Sequence, residues 1–237
     1  MIEPFQHVLT ELDAFFRIIE CKLPPPIKIK YCGGISFRYQ ERLIQQALLQ
    51  KFARYISSLR AAHILLEHGY CQELGVIQRV LDEIEEDILF LSMGHINGMT
   101  ERHTRYLEHF WLENPGPSAV PRDKIRAFVN RDLDDPSTAN NVGLTLFRTY
   151  SAYVHATSVS IIDMCAGEPP VYQLAGMLSN PLYEDHAEDI WNNFYRGLVS
   201  AVFVAKAFSD DALIEERLNS MKAFEKEHAD KVMPTAA

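Results

Sequence analysis

The chain has 237 residues, 47% apolar and 23% charged, a composition ample for a real core and ordinary for a globular protein. Its formal charge of −9 argues against broad, charge-driven nucleic-acid binding, which rewards basic surface, but leaves room for a small basic pocket on an acidic body. Cys21, Cys32, Cys71 and Cys165 form no CxxC pair and suit no zinc spacing, and no apolar run reaches the ~18 residues that a membrane span needs.

The chain reads as helix after helix. The acidic, amphipathic N-terminus is no signal peptide. A helix is expected from Pro4 to about Cys21, with Val8, Leu12, Phe15, Phe16 and Ile19 on one stripe. KLPPPIKIKYCGG cannot be helical; Ile27, Ile29 and Tyr31 are compatible with a short strand. Ser36 reads as the N-cap of a long helix ending at Gly69, and a third helix follows from about Cys71 to Met93. Thr100 caps a shorter helix ending at Asn114-Pro115. Pro121 opens a brief helix, and a longer one is expected over about residues 140–166, stopped by Gly167. An irregular stretch then leads to helices over about 183–208 and 211–232, with a short tail from Met233. The predicted class is all-α: a single helical domain over 1–237, its core bundle at about 36–208, with residues 1–35 and 209–232 attached to it.

One helix carries chemistry. Arg148 and His155 are seven positions apart, so on an α-helix they share a flank, about 20° apart in direction and ~10.5 Å in height. Ser151 and Ala152 lie between them on that side. Arg148-Thr-Tyr-Ser-Ala-Tyr-Val-His155 resembles the arginine–spacer–histidine signature of the HEPN superfamily, with a spacer at the long end of the family's range. GVIQRVLDEIEEDILFL at 75–91 is similar to the preceding core helix of an uncharacterised bacterial HEPN-like branch. Thr149 stands where active members often carry an amide.

The resemblance covers about residues 36–166 and implies a HEPN-like bundle with additional peripheral helices. It implies a homodimer that cleaves RNA without a metal, in bacterial defence, toxin action or stress, with an antitoxin or other protein as a further partner. Arg148 would grip the phosphate and His155 would act as acid and base. Ser151 would support them, and Glu83 and Asp87, flanking the apolar stripe of their own helix, could pair with Arg148 or orient His155. The alternative is a non-catalytic interaction or small-ligand-binding bundle in which the pair is structural.

Other groups are weaker candidates. Glu225 and His228 make one ExxH where a di-iron site needs two. His63 reads as a core histidine, and His103 and His109 do not converge on one face. GxGxxG, Walker A, GxSxG and HExxH are all missing. The expectation is a cytoplasmic protein with no cofactor, no metal and no membrane partner.

Overall fold

The computed structural model describes residues 2–113 and 116–232; the expected helix stop at Asn114-Pro115 and the tail from Met233 lie outside them. The chain is all-α, as its stripes and stops predict. Helices α1 (Ile2–Glu20), α2 (Ile44–Glu67), α3 (Cys71–Asn97) and α8 (Tyr183–Ala207) pack around one continuous core, and α9 (Asp211–Glu227) lies along α8. The core does not start near residue 36. Helix α1 buries Phe5, Val8, Leu9, Leu12, Phe15 and Ile19 against α2 and α8. Each such side chain is worth about 1.5–3 kcal/mol of burial, so α1 is an integral wall of the bundle. His63 packs edge-on against Phe5 and Phe194, a core histidine as its position on the stripe predicts.

Helix α3 is the centre. Helices α2 and α8 flank it, α5 (Arg122–Val129) and α6 (Pro136–Val154) cover another side, and α4 (Glu101–Phe110) packs near its end. Enclosed in this way it has little solvent face, and Asp82, Glu85 and Asp87 are buried with it, while Glu86 is mostly covered and Glu83 half-buried. Arg196 of α8 bonds both Asp82 and Glu85. Asp87 receives Lys51 Nζ and Arg122 Nη1, each at 2.7 Å. Glu86 receives Arg126 Nε at 2.7 Å, and Glu83 receives Arg79 Nη2 at 2.6 Å. Burial pushes the Glu85 and Glu86 carboxyls above the usual carboxylate range, and the facing arginines pull the other way.

His103 is structural too. Its Nδ1 accepts the Thr100 N–H at 3.0 Å, and its Nε2 donates to the Phe90 carbonyl at 3.1 Å. This arrangement needs the neutral ring, and burial lowers its pKa accordingly.

Ser36 is not a helix cap. It lies in β2 (Gly34–Arg38), antiparallel to β1 (Ile27–Tyr31) and opposite Ile29. Cys32 and Gly33, at φ of +48° and +79°, form the two-residue turn, the geometry that matches strand twist in a short hairpin. The alternation in IKIKY and GISFR overrides the cap signal. Helix α2 begins only at Ile44, where the Gln46 side chain accepts the Leu43 N–H at 2.9 Å.

Candidate functional site

Asp135 caps α6 by accepting the Thr138 N–H at 3.0 Å, with Pro136 in the first turn. The inner face of α6 rests on α3 and α5 at close range. A Cβ on Gly75 would fall 2.6 Å from the Tyr153 ring, and one on Gly143 would fall 2.7 Å from the Arg126 side chain. Both contacts need glycine. Tyr150 is buried and donates to Asp189 Oδ2 at 3.3 Å. The Arg79 guanidinium lies 3.7 Å from the Phe147 ring centroid, a cation–π contact that seats the helix.

The helix does not run to residue 166. His155 is its C-cap and Ala156 adopts φ of +47°. The amides of Ala156 and Thr157 donate to the Tyr153 and Ala152 carbonyls, both at 3.1 Å, which is a Schellman ending. Thr157 then caps α7 (Ser158–Ile162), and β3 (Cys165–Ala166) pairs with β4 (Val171–Tyr172). Glycine usually fills the left-handed position, and an alanine there hides the stop from a sequence reading. Ala156→Gly is therefore expected to stabilise the chain by about 1 kcal/mol, whereas in an unbroken helix it would cost about as much. The urea midpoint of the variant distinguishes the two.

Arg148 and His155 remain on one flank, because the helix is intact as far as the His155 amide, which donates to the Ser151 carbonyl at 3.0 Å. Both side chains are exposed, and neither makes a hydrogen bond or ion pair among the described residues. Ser151 donates to the Phe147 carbonyl at 2.6 Å and accepts from Arg79 Nε at 3.4 Å. It faces inward, towards the bundle.

Glu83 and Asp87 do not join the pair. They are held by Arg79, Arg122 and Lys51, on the sheltered side of α6. Cations on α2 and α5 reach these acids in a partly desolvated setting, where the attraction exceeds anything an exposed Arg148 could offer. Arg79 is one helical turn from Glu83, but Lys51 and Arg122 lie far along the chain from the acids they hold and were not legible as partners. The signal available was density: five acids in the six positions 82–87, on a helix with an apolar stripe, demand cations when buried.

The surface around the pair is poor in charge. From residue 136 to 162, Arg148 is the only Asp, Glu, Lys or Arg. The middle of the outer α6 face is Asn141, Thr145 and Thr149, with Val142 and Leu146 exposed on its far border. Beyond the break, Val159 (74% exposed), Ile161, Ile162, Val171, Tyr172 and Leu174 (79% exposed) also meet solvent. Exposed apolar side chains, few charges and an arginine are the composition of an interface core.

Among the described residues, no group of three or more His, Cys, Asp or Glu is placed to hold a metal ion, and no helix is long and apolar enough to cross a membrane. The chain matches no protein-family model, no curated protein and no solved structure.

Proposed function

We propose that the chain is a homodimeric, metal-independent ribonuclease of the HEPN type, joined through the outer face of α6 and the α7 region. The observation that carries this reading is the state of Arg148 and His155. Both are exposed and unpaired, on one flank of a helix and turn whose residues 136–162 carry no other Asp, Glu, Lys or Arg. An arginine with no carboxylate beside it is free to take a phosphate bidentately. A histidine with no ring partner is free to move a proton to or from a ribose hydroxyl. One copy supplies a single histidine, so a second copy is what completes an acid–base pair.

The sequence of events follows from these groups. Arg148 holds the scissile phosphate while negative charge builds on it. His155 of one copy takes the 2′-hydroxyl proton as that oxygen attacks phosphorus. The leaving 5′-oxygen takes a proton from the histidine of the second copy, and a cyclic phosphate results.

The test couples assembly to activity. Leu146→Glu puts a charge on the border of the joining face, beyond ion-pair reach of Arg148 along the helix. The variant is expected to turn a dimer into a monomer in light scattering, and to lose cleavage of a mixed RNA pool in EDTA at the same time. A wild-type chain that is monomeric and leaves RNA intact in EDTA would sink the reading.

A non-catalytic binding role is the second reading. The exposed apolar set from Val159 to Leu174 favours it, since that set extends well beyond the arginine and histidine. On that reading the partner is a different protein and the pair is part of its docking surface.

A further inference from the structure

The β1–β2 hairpin carries charge opposite to the rest of the chain. Residues 22–42 hold Lys22, Lys28, Lys30, Arg38 and Arg42 against Glu41 alone, a net +4 that leaves −13 on the other residues. The pairing divides the hairpin into two faces, because cross-strand partners point the same way. One face has Ile29 opposite Ser36 and Ile27 opposite Arg38; Ile29, Ser36 and Arg38 are partly covered. The other has Lys28 opposite Phe37 and Lys30 opposite Ile35. All four of these are exposed, Phe37 at 54% and Ile35 at 74%.

The cations at the base of the hairpin are committed. Arg38 makes two bonds to Glu113, each 2.7 Å, and Lys22 bonds Asp210 at 2.7 Å. Lys28, Lys30 and Arg42 make no ion pair among the described residues. The hairpin is thus anchored by its base and presents free cations beside an aromatic ring.

We propose that the open face of this hairpin binds single-stranded RNA, with Lys28 and Lys30 on neighbouring phosphates and Phe37 stacked on a base. Alternate residues of one strand stand about 6.6 Å apart, which suits successive phosphates of an extended strand. A ring beside cations gives a base its stacking platform whatever the sequence. A duplex fits less well, because the A-form major groove is too deep and narrow for side chains to read. The acidic body repels the remainder of the polymer and confines contact to the arm. The choice of RNA as the polymer rests on the ribonuclease reading; the lysine–aromatic face itself does not.

The experiment is fluorescence anisotropy with a labelled single-stranded 2′-O-methyl oligoribonucleotide, whose blocked 2′-oxygen prevents cleavage. The two lysines on phosphates predict a slope of about −1.4 for log affinity against log salt, at ~0.7 per phosphate on a single strand. Removing both, in Lys28→Ala/Lys30→Ala, is expected to bring the slope close to zero. Phe37→Ala is expected to weaken binding about tenfold at fixed salt. These residues are exposed, so the helical circular dichroism should stay unchanged. Binding with these slopes but without cleavage of ordinary RNA would sink the ribonuclease reading and leave the hairpin assignment standing. The assignment is overturned if the wild type does not bind at low salt, or if the double variant keeps the wild-type slope. It is also overturned if the double variant loses only adhesion to phosphatidylserine vesicles, or only self-association, which would give the arm to a membrane or to a second copy.

Discussion

His155→Ala is expected to lower RNA cleavage in EDTA by about two to four orders of magnitude, the usual worth of a positioned general acid or base. Its thermal unfolding should not move. The imidazole is exposed and bonds nothing among the described residues, so its removal breaks no contact that holds the fold. Arg148 gives a graded companion. Arg148→Ala removes both the charge and the fork, and is expected to cost about 10²–10³ in rate. Arg148→Lys keeps the charge and loses the bidentate grip, and should fall between that variant and the wild type. A merely electrostatic role would leave Arg148→Lys near wild-type rate. Equal cleavage by wild type and His155→Ala would remove this residue from the chemistry altogether.

Arg196→Met is expected to destabilise the chain by about 3–5 kcal/mol, read as a large fall in the urea midpoint. Arg196 lies between α8 and α3 and carries the charge of both Asp82 and Glu85. Methionine fills much of the same volume but leaves two carboxylates in a desolvated seam, and stranding a buried charge is what makes breaking such a cluster costly. Joint replacement with Asp82→Asn and Glu85→Gln should recover much of the loss, because the stranded charge goes with its partner. If Arg196→Met alone left the midpoint in place, the three groups would have to be hydrated, contrary to their burial. The loss should appear equally in the RNA-binding and RNA-cleaving assays, unlike that of the exposed residues above.

Much of this fold was legible in the chain itself. Helix stripes such as Val8–Leu12–Phe15–Ile19 and stops such as Gly69 report local periodicity and backbone preference, and these survive in the folded protein. The Arg148–His155 spacing is local in the same sense, since helical geometry alone puts the two on one flank, although Asp135 starts that helix four residues before the expected position. What tertiary structure decided was everything that depends on neighbours distant in sequence. The Ser36 cap gave way to strand pairing with Ile29, which no local preference of serine could foretell. Asp87 and Glu83 turned from Arg148 to Lys51 and Arg122, with Arg79 of the same helix, because enclosure of α3 by five other helices leaves these acids little solvent and makes the nearest desolvated cation their partner. The break at Ala156 uses a residue that carries no stop signal. Arg148 and His155 were left exposed because α6 spends its inner face on Gly143, Phe147, Tyr150 and Tyr153. A sequence places residues on faces; which face is covered, and by what, is settled only when the rest of the chain packs against it.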